Sequence, residues 1–535
     1  MRKRPNLLLI VTDQHRADHL GCYGNSVVRT PNIDSLAARG TRFDNFYVSC
    51  PICMPNRATM MTGRMPSLHG VRQNGIPLPL QAVTFPELLR NAGYRTALVG
   101  KCHLQNISAV PLEHGVTRPD PDKTTPPEAL REARRNPWAD GRYDQEQPAT
   151  WHDDEGFEPD LPFYGFEHTA LAIGHGDRVT GHYDRWLRAR HPDADALRGP
   201  DNALPAGRDI WAPQAWRTRV PEELYPTRFV ADETVNFLES RAKADDSAPF
   251  FIQCSFPDPH HPFTPPGRYF DMYDPADIPA PDAFHHPPER LPPHVAALHA
   301  ARDNGTATRQ GQTVFACTER EARGAIALTY GAITMIDDAI GRVLAALDRL
   351  GLRENTVVVF TTDHGDFMGD HQLLLKGALH YRGLIRTPCI WTDPAAEGAS
   401  GSTKATAGTL DLAASFLDRA GVNPFHGMQG KPLPALAAGR ETHDSLVIEE
   451  DQRRSYMAFP PNFRARTLLA DDWRLTIYSC VDWGELYNLK NDPLEFENLW
   501  ADPAHSGVRA ALTEQLARQM MVLAESSPRA TGHGP

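Results

Sequence analysis

Short, continuous apolar runs that end in polar motifs are the main pattern along this chain. Three of them cover residues 7–11, 96–99 and 356–360, and weaker ones cover residues 250–254 and 446–448. Continuous apolar runs of this length are typical of strands that are buried on both faces of a parallel sheet. The pattern therefore predicts a sheet in the interior of a large domain.

Helical periodicity lies between these runs. Residues 31–40 begin with proline and end with glycine, as helices commonly do, and further helices are predicted at residues 85–92, 333–350 and 506–524. Alternation of strands and helices predicts an α/β fold. In such folds ligands bind at the carboxyl ends of the strands.

Two stretches break the alternation. Residues from about 109 to 222 and from about 257 to 313 are proline-rich with little periodicity, and they are interpreted as insertions over the sheet that shape a pocket. From about residue 440 short strand-like pieces precede the last helix. This change predicts a large domain at 1–439 and a small α+β domain at 440–535.

Composition and charge narrow the function. The 535 residues carry 55 Lys and Arg against 67 Asp and Glu, and the net charge of −12 argues against nucleic acid or an anionic membrane as a partner. No segment reaches the ~20 apolar residues of a membrane span, and the run after the basic start is too short for a signal peptide. The eight cysteines show no disulfide framework. A soluble, cytoplasmic protein is expected.

Two polar pairs follow predicted strands. Asp13 and Gln14 come after the first run, and Asp363 and His364 come after the run at 356–360. Neighbouring parallel strands would bring both pairs to one sheet edge, where two carboxylates, an amide oxygen and an imidazole can hold one divalent cation. A helix cap is the alternative for each aspartate considered alone.

A third motif lies around Cys53, which with Pro55 and Arg57 forms Cys-x-Pro-x-Arg, continued by Ala-Thr-Met-Met-Thr-Gly-Arg. Together with the two strand-end pairs, this motif makes the chain resemble the sulfatase family of the alkaline-phosphatase superfamily. The resemblance implies an alkaline-phosphatase-like α/β core, with a large, mostly parallel mixed sheet flanked by helices, and a small α+β C-terminal domain.

The same resemblance implies a cofactor made from the chain. In this family the motif cysteine is oxidised by a formylglycine-generating enzyme, and the hydrate of the formylglycine is the nucleophile. Cys53 would then join the metal ligands Asp13, Gln14, Asp363 and His364 around Ca²⁺. Gln14 and His364 depart from the commonest family pattern, and a nitrogen donor with one fewer carboxylate shifts the preference towards Mn²⁺.

Cationic and polar motifs complete the resemblance. Gly-Lys-x-His-Leu at residues 100–104, Pro-His-x-Pro at 259–262 and a lysine downstream of the Asp-His-Gly motif all match sulfatases. The implied roles are distributed over the following residues: Arg57 on the hydrate and the metal-site carboxylates, Lys101 and His103 on the sulfate and the hydrate, His260 and Lys376 beside the leaving oxygen, and Asn74 on the substrate.

These motifs predict hydrolysis of sulfate monoesters of the aryl-sulfate type. A phosphonate monoester or phosphodiester hydrolase with the same site is the alternative, because such relatives resemble the chain at both metal pairs and at Asn74. Two other classes are a redox protein built on the Cys-x-x-Cys of residues 50–53 and a binding protein that has lost the chemistry. Asp366, Asp370 and His371 are expected to have structural or rim roles, although they could be additional metal ligands. The long C-terminal helix suggests a homo-oligomer.

Overall fold

The computed structural model of the protein describes residues 4–108, 122, 124, 141–207, 209, 211–244, 247–287, 290–396, 401–453, 455 and 457–526. The first part of the predicted insertion at 109–222 lies outside these residues. Among the residues that are described, no helix combines the length and the apolar character needed to span a bilayer.

The strands of the described residues form one large sheet, one small sheet and a two-stranded ribbon. Their bounds are β1 (Asn6–Thr12), β2 (Thr41–Tyr47), β3 (Arg95–Gly100), β4 (His168–Ile173), β5 (Thr180–Gly181), β6 (Phe250–Ser255), β7 (Phe315–Ala316), β8 (Thr356–Thr362), β9 (Leu373–Leu374), β10 (Cys389–Thr392), β11 (Gly401–Gly408), β12 (Leu446–Gln452), β13 (Phe463–Ala470), β14 (Trp473–Tyr478) and β15 (Gly484–Asn488).

The large sheet has nine strands in the order β11-β2-β10-β8-β1-β6-β3-β4-β5. Its central run β8-β1-β6-β3-β4 is parallel throughout, and β10 and β5 pair antiparallel with their neighbours. The predicted mixed, largely parallel sheet is therefore confirmed.

Helices cover both faces of this sheet. The α-helices of the described residues are α1 (Pro31–Arg39), α2 (Cys53–Thr62), α3 (Pro66–His69), α4 (Phe85–Asn91), α5 (Pro148–Asp153), α6 (His182–Arg190), α7 (Pro226–Lys243), α8 (Arg268–Asp271), α9 (Pro293–Asp303), α10 (Glu319–Arg349), α11 (Arg382–Ile385), α12 (Asp411–Ala420), α13 (Leu433–Ala437) and α14 (Ser506–Val522). Strand β1 shows the layering, because Leu8 and Ile10 join one apolar core and Leu7 and Leu9 join the other.

Helix α10 is longer than the predicted 333–350. It begins with a capping box in which Thr318 accepts from the backbone of Glu321 and the Glu321 side chain accepts from the backbone of Thr318. This reciprocal cap satisfies two backbone donors and fixes the start of the helix at Glu319. The helix then crosses the sheet with a largely buried face.

Part of the stretch interpreted as an insertion at 109–222 belongs to the core. Strand β4 pairs parallel with β3, so that Ala97 lies opposite His168 and Gly100 opposite Leu171. In the described part of this segment, α5 and α6 lie on either side of β4 in the sequence. The polar, proline-rich composition of its surroundings hides a six-residue strand, because the apolar part of β4 is only four residues long.

The C-terminal sheet is antiparallel, in the order β12-β13-β14-β15, and α14 packs against it. Its other face shares an apolar cluster with the large domain, in which Val48 and Tyr381 meet Ile448 and Tyr487. At this junction the Arg474 side chain is fully buried, with NH2 3.1 Å from Glu485 and Nε bonded to Glu495. Glu495 also accepts from the backbone N–H of Arg382, at 2.7 Å.

Candidate active site

Five neighbouring strands of the large sheet end at one cluster of polar side chains. In sheet order the residues that follow these strands are Asp363 and His364 after β8, Asp13 and Gln14 after β1, His260 after β6, Lys101 and His103 after β3, and His175 after β4. The carboxyl ends of parallel strands meet at one edge, which brings residues from distant parts of the chain together.

Glycine is required where β3 ends. Gly100 has a φ of +99°, and a Cβ at this position would lie 1.8 Å from the carbonyl oxygen of Ser255. This close approach allows the backbone N–H of Lys101 to donate to the same carbonyl at 2.9 Å. The glycine of the Gly-Lys motif thus sets the direction in which Lys101 leaves the sheet.

Cys53 is the first residue of α2, and Arg57 lies one turn further on the same face. Both side chains are buried. The Arg57 guanidinium donates from Nε to Asp363 Oδ2 at 2.8 Å and from NH1 to the Lys101 carbonyl at 3.1 Å and Ser255 Oγ at 3.0 Å. Arg57 therefore connects the nucleophile helix to three of the strand ends.

A group of four buried side chains can hold a metal ion. Asp13, Cys53, Asp363 and His364 each offer one ligand atom, and these atoms lie within 4.8 Å of one another. Asp13 Oδ1 is buried without a hydrogen-bond partner, which is costly for a carboxylate oxygen unless a cation is present. The donor set and this orphaned oxygen fit a divalent cation.

Gln14 turns its amide oxygen towards the same group. Its nitrogen donates to Asp366 Oδ2 and lies 3.2 Å from His261 Nδ1, and its oxygen accepts from Lys376 Nζ at 3.1 Å. A carboxylate accepts only and an ammonium donates only, so these partners fix the orientation of the amide. Gln14 itself is in the left-handed region, with a φ of 61°.

Two histidines are held in defined tautomers. His364 Nδ1 lies 2.8 Å from the carbonyl oxygen of Gly365, and His260 Nδ1 bonds to the carbonyl of His261. Because a carbonyl only accepts, each Nδ1 carries the proton. Each Nε2 is then directed into the cluster. Burial and Lys376 lower the pKa of His364, but Asp363 and Cys53 outweigh them and raise it above its ordinary value, so the positive form of this ring can help to lower the pKa of Cys53.

Lys376 lies at the centre of the cluster. Its ammonium is 3.1 Å from Cys53 Sγ, 3.1 Å from His364 Nε2 and 2.8 Å from His260 Nε2. It is bonded to a possible nucleophile and to a neutral imidazole at the same time. This arrangement lets Lys376 supply a proton or a positive charge.

The electrostatics single out Cys53 among the cysteines. Burial by itself raises the pKa of its thiol, but the Lys376 ammonium outweighs burial with help from His364 and Lys101, and the pKa falls from 9.0 to about 7. Burial raises the pKa of all the others, namely Cys22, Cys50, Cys102, Cys254, Cys317, Cys389 and Cys480. The partner in the proposed redox pair, Cys50, is thus an inert buried thiol.

His175 is a site residue that the sequence analysis missed. Its Nε2 accepts from Lys101 Nζ at 2.7 Å and lies 3.6 Å from Asp13 Oδ2, and its ring stacks on His260 with centroids 3.7 Å apart. Burial and the nearby Lys101 lower the pKa of His175 to about 4, so the ring is neutral and accepts. The apolar run that ends in Gly-His at the end of β4 is the signal that could have identified it.

Glu146 is a second missed residue. Its carboxylate accepts from the backbone N–H groups of His103, Leu104 and Gln105, at 2.6, 2.9 and 2.7 Å. His103 needs this support because it is in the left-handed region, with a φ of 62°. Burial raises the pKa of Glu146 to about 7, and the three N–H groups act against that shift. Glu146 therefore positions the turn that carries His103.

Asn74 is at the edge of the cluster. Its Oδ1 accepts from the backbone N–H of Met54 at 3.1 Å, so it caps the start of α2 beside Cys53. Asp370 instead pairs with Arg16 at 2.7 Å, and His371 bonds His286. Neither belongs to the four-residue metal group, and their structural or rim roles stay a prediction.

Comparison with known proteins agrees with this site. The family model described as Sulfatase matches residues 5–422, and a model described as N-sulphoglucosamine sulphohydrolase, C-terminal, matches residues 369–521. The chain therefore belongs to the sulfatase family, whose members are hydrolases that act on sulfate esters. Family membership and the nine-stranded sheet leave no support for a thioredoxin-like redox protein.

Individual relatives include enzymes of two activities. The chain is 28% identical to the multifunctional alkaline phosphatase superfamily protein PehA of Trinickia caryophylli, over 97% of this chain and 95% of that one. It is 29% identical to an arylsulfatase of Clostridium perfringens, over 93% and 90%. The phosphonate monoester hydrolase structure from Agrobacterium radiobacter superposes with a TM-score of 0.74 at 25% identity, over 97% and 96%.

Proposed function

We propose that the protein hydrolyses sulfate monoesters of the aryl-sulfate type, with a nucleophile formed from Cys53. The observation that carries the proposal is the position of Cys53 Sγ, 3.1 Å from both Lys376 Nζ and His364 Nε2 within the four-residue metal group. Oxidation of Cys53 to formylglycine would replace the thiol with a hydrated aldehyde that has two hydroxyl groups at the same point.

A divalent cation, Ca²⁺ or Mn²⁺, would be held by Asp13, Gln14, Asp363 and His364 with the group at position 53. When bound, it lowers the pKa of a coordinated hydroxyl and so activates a nucleophile at neutral pH. The orphaned Asp13 Oδ1 and the inward amide oxygen of Gln14 support this assignment.

The remaining side chains bind the ester and move a proton. Lys101 and Arg57 supply fixed positive charge where the oxygens of the substrate carry negative charge. Lys376 Nζ holds a proton that it can give to the leaving oxygen, and the Nε2 of His260, 2.8 Å away, holds the ammonium in position. The leaving alcohol is thus released as a neutral molecule.

A phosphonate monoester or phosphodiester hydrolase is the second candidate. Asn74 is the residue that the resemblance to phosphonate-cleaving relatives singles out, and it lies beside Cys53, with Oδ1 3.1 Å from the backbone N of Met54. The solved phosphonate monoester hydrolases of Agrobacterium radiobacter and Silicibacter pomeroyi superpose with TM-scores of 0.74 and 0.72. Both activities in one site are compatible with the same residues.

Maturation, location and assembly belong to the same proposal. Cys53, Pro55 and Arg57 are all buried in α2, so a formylglycine-generating enzyme would have to act before this helix folds. We propose a cytoplasmic location. We also propose a homo-oligomer formed through α14, on which Met521 and Val522 are each 75% exposed.

A paired rate comparison tests the function. kcat/KM is measured for an aryl sulfate and for an aryl phosphonate monoester with the same leaving group, using enzyme whose formylglycine content is known from the peptide mass. We expect faster cleavage of the sulfate and loss of both reactions in Cys53→Ala. Faster phosphonate cleavage assigns the protein to the second candidate. Absence of turnover of either ester by formylglycine-containing enzyme overturns both and leaves the non-catalytic binding protein.

A further inference from the structure

An arginine-lined cavity lies at the junction of the two domains. It has a volume of about 100 Å³ and is lined by Arg72 from the large domain and by Asp451, Arg453 and Arg464 from the C-terminal domain, with Phe463 buried beside them. This set is called the arginine pocket below. None of its residues is used in the chemistry described above.

The arginine pocket has an excess of positive charge. The carboxylate of Asp451 is shared, since its Oδ2 lies 4.0 Å from Arg72 Nε and 3.4 Å from Arg464 Nε, and its Oδ1 lies 3.0 Å from Arg466 NH1. Arg466 also lies 3.9 Å from Glu449, so in the lining of the pocket the single carboxylate of Asp451 faces the three guanidinium groups of Arg72, Arg453 and Arg464. In a chain with a net charge of −12, this local excess of positive charge attracts anions.

The arginine pocket is close to the nucleophile. Arg72 belongs to the turn in which Asn74 accepts from the backbone of Met54 and Gly75 N lies 3.1 Å from Met54 Sδ. Met54 directly follows Cys53 in the chain. Two residues span at most about 7 Å, so the backbone of Arg72 lies on the order of 10 Å from Cys53.

We propose that the arginine pocket binds a second oxyanion, a carboxylate or a sulfate, on the alcohol half of the substrate. This inference rests on the proposed function. It adds that the substrate is a dianionic ester. Guanidinium groups bind planar and tetrahedral oxyanions through two parallel N–H bonds, which suits both groups. The side chains of Arg72 and Arg464 are 45% and 58% exposed, so their attraction is weakened by salt.

The first experiment compares two esters that differ in one charge. Biphenyl-4-yl sulfate carrying a 4′-carboxylate is compared with the same ester carrying a 4′-carboxamide. We expect wild-type kcat/KM to favour the carboxylate by about fivefold to tenfold at low salt, the scale of two partly exposed charged pairs, and the preference to shrink as salt is added.

Variants assign the preference to named side chains. Arg72→Gln with Arg464→Gln should bring the ratio of the two kcat/KM values close to one. Asp451→Asn should increase the ratio, because it removes the competing carboxylate. Arg518→Gln is the matched control, since Arg518 lies on α14 with a side chain that is 74% exposed, and it should leave the ratio unchanged.

A binding measurement separates this inference from the proposed function. Biphenyl-4,4′-disulfonate and biphenyl-4-sulfonate have no ester bond to cleave, and their dissociation constants are compared by calorimetry. Tighter binding of the disulfonate that is lost in the Arg72 and Arg464 variant supports the arginine pocket even if no ester is hydrolysed. Equal rates for the two esters together with equal binding of the two sulfonates by wild type overturn the inference. Turnover of the neutral ester would then still support the function.

Discussion

Replacement of His175 tests whether the fifth strand end belongs to the active site. His175→Ala removes the acceptor of Lys101 Nζ and the ring that stacks on His260. Lys101 is buried, with a side chain that is 1% exposed, and keeps Asp13 as its remaining charged partner. We expect the ammonium to move towards Asp13 and away from the substrate oxygens.

The magnitude follows from the contacts that are lost. A hydrogen bond to a charged group contributes roughly 1.5–3 kcal/mol. At about 1.36 kcal/mol per factor of ten, loss of this hydrogen bond alone should lower kcat/KM by roughly 10- to 150-fold, and loss of the stacked ring adds to that decrease. His175→Gln keeps an amide oxygen that can accept from Lys101, so it should recover most of this loss and fall short by the stacking contribution of about 0.5–1.5 kcal/mol.

The assay measures kcat and KM separately on an aryl sulfate, together with the urea midpoint of each variant. His152→Ala is the control, because His152 is on α5 with a side chain that is 89% exposed. A loss that is equal in the alanine and glutamine variants, or a fall in the urea midpoint that accounts for the lost activity, would refute the positioning role. A change of less than about threefold in His175→Ala would refute the contact itself.

Three further predictions concern the cluster and the domain junction. In unmodified, metal-free protein, Lys376→Met should raise the pKa of Cys53 from about 7 towards or above its ordinary value of 9, because burial and Asp13 then outweigh the remaining effect of His364 and Lys101; thiolate absorbance against pH measures the shift. Asp366→Ala should weaken Mn²⁺ binding by about 10- to 100-fold in a calorimetric titration, because it frees the Gln14 amide to rotate. Arg474→Met should lower the free energy of unfolding by about 3–5 kcal/mol, because Glu485 and Glu495 lose their buried partner; urea unfolding measures it.

Matched variants control these predictions. Asp153→Ala removes a carboxylate that is 80% exposed and should leave Mn²⁺ binding unchanged. Arg518→Gln removes an exposed arginine and should change the free energy of unfolding by less than about 0.5 kcal/mol. If Asp366→Ala binds Mn²⁺ as tightly as wild type does, the bond from Gln14 to Asp366 does not orient the Gln14 amide for metal binding. If the pKa of Cys53 is unchanged in Lys376→Met, then Lys376 is not the group that lowers it.

The strands that carry the site were predictable because they are buried on both faces. Continuous apolar runs identified β1, β3, β6 and β8 to within one or two residues at their ends. In contrast, the apolar part of β4 is only four residues long and lies in a polar, proline-rich stretch. His175, which depends on β4 for its position, was missed for that reason.

Residues that act by binding backbone groups also could not be predicted from the sequence. Glu146 has no motif around it, and its role is visible only when three N–H groups of residues 103–105 converge on its carboxylate. The orientation of the Gln14 amide is equally a property of the fold, since it is set by Asp366 and His261. Sequence motifs identify the side chains that react, whereas the side chains that hold them in place are set by tertiary packing.

The order of strands in the sheet separates the carboxylates of the site from its cationic side chains. The carboxylates of Asp363 and Asp13 follow the adjacent strands β8 and β1, and they form the part of the site that could hold a metal ion. Lys101 comes from β3, two strands away from β1, and neutral histidines follow β6 and β4 on either side of it. Arg57 bridges the two sides from α2, with its guanidinium 2.8 Å from Asp363 and 3.7 Å from Asp13. Sulfate monoesters and phosphonate monoesters both carry one negative charge, so this arrangement of charges suits either of the two proposed substrates, and the paired rate comparison is what separates them.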